Sequence, residues 1–173
     1  MKIKYLTFGA KNPEDGVNKK VFSQVSQLIQ LGLDVELVLI SFGDVYYPSY
    51  DYLTLHTIDS IPMKNLFGQI KCAYKVSQIL DETINSLGPS DILYYRYQGA
   101  LPFHPLNYFK CFRACRIVTE HQTKELEEYK LAGKVLTYWS EFFLGKLLRK
   151  QSDALIGVTD EITQYEITRA GDL

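Results

Sequence analysis

The chain has 173 residues, 46% of them hydrophobic, and a formal charge of −1 at neutral pH. That is material for one domain with a sizeable core, and it lacks the global positive charge that would point to nucleic acid. Three cysteines, Cys72, Cys111 and Cys115, form no metal-type pattern and read as free thiols of a reducing compartment. No apolar leader follows Met1, and no apolar run nears the roughly 20 residues of a spanning helix, so a soluble, cytoplasmic protein is expected.

Residues 2–8 are strand-like and run into a loop rich in Gly, Asn, Pro and Asp. Val17, Val21, Val25, Leu28 and Ile29 recur at helical spacing, which predicts a helix over 17–31. Gly32 stops it where a left-handed residue is wanted. Residues 34–41 (DVELVLIS) have the apolar, β-branched character of a strand buried on both faces. A strand over 52–58 and a helix over 66–86 follow, the helix with Ile70, Ala73, Tyr74, Val76, Ser77, Leu80 and Ile84 turned inward. Beyond Gly88-Pro89 come a strand at 91–95, a helix at 102–114, a strand at 115–120, an amphipathic helix at 134–150, a strand at 153–158 and a closing helix at 160–169. Six strands alternating with helices predict an α/β three-layer sandwich around a mostly parallel sheet.

In such a sheet ligands bind beyond the carboxyl ends of the strands. The first such loop leads through Asp15-Gly16-Val17-Asn18-Lys19 into a helix, whose free N–H groups attract anions. A glycine there permits close backbone approach, and Lys19 and Lys20 add charge, although a plain glycine turn with a solvated lysine pair has the same pattern. Neither G-x-G-x-x-G nor G-x-x-x-x-G-K-[ST] is present, which argues against a dinucleotide-dependent dehydrogenase and a P-loop NTPase. Arg96, after Tyr94-Tyr95, can clamp a carboxylate or phosphate, or simply pair with a loop carboxylate. His121, with Glu120 expected near the sheet's edge to orient it, can exchange a proton or hold a hydroxyl, or be a satisfied loop histidine. His56 and His104 have weaker cases, one within a strand and one in a Pro-flanked turn. In 134–150, Val135, Leu136, Trp139, Phe142, Phe143, Leu147 and Leu148 make a broad apolar stripe with Lys146, Arg149 and Lys150 at its end. The usual reading is the core face of a domain helix; the other is peripheral contact with a membrane.

Taken together, these segments resemble the N-terminal half of the retaining GT-B glycosyltransferases of family 4, also called group 1. The opening glycine loop and helix with Gly32-Leu33-Asp34-Val35, the strand Asp91-Ile92-Leu93-Tyr94-Tyr95-Arg96, the segment Val118-Thr119-Glu120-His121 with Glu127-Glu128, and the close Ser152-Asp153-Ala154-Leu155-Ile156-Gly157-Val158-Thr159 carry the likeness in order. Where the family often has two glycines, this chain has Gly16-Val17.

The resemblance implies a Rossmann-like, acceptor-side domain, one half of a GT-B fold. A C-terminal domain outside these residues would hold the sugar nucleotide, so this domain alone would be inactive. It implies a nucleotide-sugar donor as substrate, a glycan or lipid-linked acceptor, and no separate cofactor or metal. His121 would touch the transferred sugar as the catalytic-site residue, and Gly16, Val17, Lys19, Arg96, Glu120 and Thr159 would contact substrate. Such an enzyme would work in the cytoplasm or at the inner membrane face, in polysaccharide synthesis. The rival readings are a flavodoxin-like binding or regulatory module and a non-catalytic subunit of a split glycosyltransferase. A receiver-type module would want an acidic cluster after its first strand, where Thr7-Phe8-Gly9-Ala10 stands.

Overall fold

The computed structural model describes residues 1–10, 12, 14–43, 45–58, 66–99 and 114–171, with the backbone alone for 66, 67 and 69. The helix expected over 102–114, with His104 and Cys111, lies outside them. The chain runs β1 (Lys2–Phe8), α1 (Gly16–Gln30), β2 (Asp34–Phe42), β3 (Leu53–Ile58), α2 (Leu66–Asn85), β4 (Ile92–Arg96) and β5 (Arg116–His121). It continues through α3 (Glu125–Leu131), α4 (Val135–Ser140), a π-helical turn (Glu141–Gly145), α5 (Lys146–Gln151), β6 (Ala154–Gly157) and α6 (Asp160–Ala170). The sheet is parallel throughout, in the order β3-β2-β1-β4-β5-β6. This is the Rossmann-like α/β arrangement expected, and the strand order reverses between β1 and β4, where a crevice opens at the carboxyl ends.

Period-2 alternation feeds both faces of the sheet. Tyr5, Leu37 and Leu39 pack with Val21 and Val25 of α1, while Leu6, Val38 and Ile40 pack with Val76, Leu80 and Ile84 of α2. Because central strands are covered on both sides, they carry almost no exposed residue, hence the unbroken apolar run of β2. Gly32, with φ of 81°, ends α1 in the left-handed region as its position demands. The inner face of α2 is rotated from expectation: Cys72 and Thr83 join Val76, Leu80 and Ile84 inside, whereas Ile70 and Tyr74 are exposed.

The largest departure is at 134–150. The expected single helix is interrupted by the π-helical turn, a local insertion that shifts the register of the two flanking α segments. The inward positions are Glu141, Gly145, Leu148 and Arg149. The apolar stripe faces outward, with Leu136 83%, Trp139 50% and Phe143 63% exposed. The core-face reading of that stripe is therefore wrong. Of its members only Leu148 is buried.

Candidate functional site

A cleft of about 290 Å³ opens at the carboxyl ends of the strands beside the start of α1. Val17 of α1, Arg96 at the end of β4 with Tyr97 and Gln98 after it, Gln122 and Thr123 after β5, and Glu125, Glu128 and Tyr129 of α3 line it. Arg96 is buried at the end of β4, one guanidinium nitrogen donating to Gln122 Oε1 at 2.9 Å and Nη1 having no hydrogen-bond partner. Lys20 reaches across from α1, its Nζ 3.3 Å from Gln122 Oε1 and 3.5 Å from Glu120 Oε1. The first turns of α1 and the end of β5 therefore share one rim, as the sequence predicts.

Glu120 is a buried hub on an interior strand, and the expectation that it sits near the sheet's edge and orients His121 does not hold. Its Oε2 accepts from Tyr5 at 3.0 Å and Tyr94 at 2.9 Å, and its Oε1 accepts from Gln122. Burial alone would raise its pKa, but these donors and Lys20 outweigh it and hold the carboxyl below the usual range. Burial and that carboxylate push the Tyr5 and Tyr94 phenols up, so both stay protonated as donors.

The β1–α1 loop is built by Asn18, a residue the sequence reading passed over. Its buried amide accepts from Ala10 N at 3.0 Å and donates to Asn12 O at 2.7 Å. Asp15 caps α1, its carboxylate accepting from Val17 N at 2.8 Å, so part of the expected anion attraction is already met within the chain. Gly16 has an open environment with nothing within 4 Å of a would-be Cβ. Lys19 pairs with Glu14 at 2.8 Å at the surface and does not line the cleft. Thr159 is likewise absent from the cleft wall; its hydroxyl caps α6 by accepting from Ile162 N at 3.3 Å.

Behind the cleft lies a second assembly. Arg149, fully buried, stacks 4.8 Å from the centre of the Tyr97 ring and donates to three carboxylates: Glu125 at 3.2 Å, Glu141 at 2.6 Å, and Glu166. Tyr97 donates to Glu141 at 2.6 Å and Arg169 to the same side chain at 3.1 Å. Three carboxylates against two guanidinium groups leave one negative charge in excess, and Glu166 Oε1 has no hydrogen-bond partner. Burial, opposed by Arg149, pushes Glu125 up to about 7, and burial raises Glu166 as well. Burial thus favours the uncharged form of both carboxyls, against the pull of Arg149.

His121 belongs to this assembly. Its side chain is 0% exposed, Nδ1 lies 3.3 Å from Glu125 Oε1 and Nε2 3.1 Å from Thr119 Oγ1. Burial, then the nearby Arg149, depresses its pKa to about 3, so the ring is neutral. The expectation that His121 faces the cleft to touch a sugar is corrected: the strand that fixes its backbone also turns its ring into the interior. Ligand-type atoms of His121, Glu125 and Glu166 lie within 4.8 Å of one another, as around a metal. The Arg149 guanidinium bonds to both carboxylates, so a cation would have to displace it.

Glu125 joins the two regions, since it lines the cleft and binds Arg149. The sequence reading missed it because 120–133 reads as a polar loop, whereas α3 occupies 125–131 of it. No helix among the described residues is long and apolar enough to cross a membrane. A scan against protein-family models gives no match to this chain, and a search of curated proteins gives none either.

Proposed function

We propose that the chain is the acceptor-side domain of a GT-B glycosyltransferase of the retaining, group 1 type, acting in polysaccharide synthesis in the cytoplasm or at the inner membrane face. The observation that carries this reading is the cleft at the strand-order reversal. Its wall combines a buried guanidinium at Arg96, the amides of Gln98 and Gln122, the Thr123 hydroxyl and the Glu128 carboxylate around Tyr129. Donors and acceptors in alternation around an aromatic ring suit a polyhydroxylated ligand better than a purely apolar or purely anionic one.

In this reading the cleft takes a glycan or lipid-linked acceptor, and a second domain brings the nucleotide-sugar donor across the rim formed by Gly16, Val17 and Lys20. Neither a separate cofactor nor a nucleic acid takes part. Arg96, held by Gln122, and Glu120, held by Tyr5, Tyr94 and Gln122, form the polar floor of the rim. His121 has a positioning role: it supports Glu125 at the cleft wall rather than touching the sugar.

The test is a titration of the isotope-labelled chain with a panel of oligosaccharides, lipid-linked sugars, and UDP-, GDP- and ADP-sugars. Amide shifts at Arg96, Gln98, Gln122 and Thr123 on adding an acceptor, lost in Gln122→Ala, are expected, without turnover of any sugar nucleotide. A chain that ignores every carbohydrate but binds another small ligand at the same rim would replace this reading with that of a binding or regulatory module.

A further inference from the structure

The outward face of α4, the π-helical turn and α5 is an aromatic surface framed by lysines. Trp139 lies 5.7 Å from Phe142 and 5.8 Å from Phe143 between ring centres, and those two phenylalanines are 5.0 Å apart. Tyr138 meets Trp139 edge-on at 5.3 Å, and Leu131, Val135, Leu136 and Leu147 are exposed on the same stretch. Every exposed charge from 129 to 151 is positive: Lys130, Lys134, Lys146 and Lys150. The stretch's one carboxylate, Glu141, is 0% exposed and committed to the interior.

The register explains why this face stays outside. Glu141, Gly145 and Arg149 recur every four residues along the stripe that the buried charges require, so the aromatic residues are left on the opposite side. Gly145 holds that register, because a Cβ there would fall 2.6 Å from Glu141 Cδ and 2.7 Å from Arg149 Nη1. The aromatic side chains cannot be tucked in without tearing Arg149 from its carboxylates.

We infer that this face docks on an anionic lipid bilayer, with Trp139, Phe142 and Phe143 entering the headgroup boundary and the flanking lysines meeting acidic headgroups. Aromatic rings at the surface of α4, the π-helical turn and α5, flanked by lysines and with no exposed carboxylate on those three segments, have the composition of an interfacial helix lying in the membrane plane. A second copy of the chain is a poor occupant, since a two-fold contact would set four lysines of one copy against four of the other. The inference does not depend on the transferase reading, because Trp139, Phe142 and Phe143 line no part of the cleft.

Trp139 is the only tryptophan of the chain and reports directly on this face. On adding phosphatidylglycerol-containing vesicles to the chain, its emission is expected to shift to the blue and to be quenched by brominated acyl chains; phosphatidylcholine vesicles alone should have far less effect. Replacing both Phe142 and Phe143 by Ser should weaken binding roughly 100-fold, since two aromatic side chains lose their apolar burial. Lys146→Gln and Lys150→Gln should each weaken it about fivefold. These lysine variants touch only exposed side chains and keep the test decisive if the double phenylalanine variant fails to fold. Unchanged emission with anionic vesicles, an equal shift with neutral ones, or a shift that follows protein concentration without lipid would each overturn the inference, the last in favour of self-association.

Discussion

Around Val25 the buried residues include Ile3, Val21, Val35, Leu37 and Leu39, mostly hydrocarbon held between α1 and the sheet with Tyr5 and Tyr47 at its border. Around Arg149, under α3 to α6, the buried side chains are Glu125, Glu141, Glu166, His121 and Tyr97. The first region loses stability in proportion to the volume removed. The second holds charges whose partners are each other, so removing any one strands the rest in a medium of low dielectric constant. The same sheet thus carries a graded core at one end and an interdependent one at the other, and the cleft is walled in part by the interdependent end through Glu125.

The sharpest way to break the contrast is Arg149→Met, which leaves three buried carboxylates facing one another. A loss of about 5 kcal/mol is expected in urea unfolding, enough to leave little folded chain. Leu37→Ala, at a wholly buried position of the hydrocarbon region, should cost about 3 kcal/mol and leave a cooperative transition. Equal losses with equal cooperativity would erase the distinction.

Gly145→Ala adds one methyl group against Glu141 and Arg149 and should cost about 3 kcal/mol, against the gain of a few tenths to 1 kcal/mol that glycine-to-alanine usually brings in a helix interior. A stabilised variant, read by thermal melting, would show that the network yields easily.

His121→Gln should cost about 2 kcal/mol near neutrality and change the pH dependence. The ring's pKa is about 3 in the folded chain against a usual 6.5, so as pH falls from 6.5 toward 3 the unfolded chain takes up the proton first and His121 contributes a falling stability. The slope is about 1.4 kcal/mol per pH unit. Glu125 works the other way: raised from 4.5 to about 7, its contribution is full below 4.5 and is lost as pH rises through 7. The variant should therefore lose stability as pH rises from 4.5 to 7 more steeply than the parent. Parallel denaturation curves at several pH values would refute the buried, neutral ring. The smallest effect belongs to Asp15→Ala, about 1 kcal/mol from the lost cap of α1, with cleft binding little altered.

The alternation of strands and helices and the stop at Gly32 were legible because each rests on neighbours a few residues apart, and the shared rim of α1 and β5 followed from the parallel order of the strands. His121 and Glu120 were located correctly in sequence yet assigned the wrong surroundings. Their partners, Arg149 and Glu166 for one and Tyr5 and Tyr94 for the other, come from other elements. One signal for the buried network was present, since Glu141, Gly145 and Arg149 recur on one helical stripe, but beside seven large apolar residues it reads as the solvent side.

By itself the sequence determined the order and type of most elements, the parallel sheet they must form, and which loops meet at its carboxyl edge. Hydrophobic period, turn chemistry and the handedness of crossovers are properties of the chain that need no distant partner. Tertiary structure decided which side of the 134–150 stripe is inside. Periodicity reveals that a helix has two unlike faces and is silent on which faces the protein. Here three carboxylates and two guanidinium groups from four segments pair with and hydrogen-bond one another in the interior, and once they are assembled the aromatic face has nowhere to go but out.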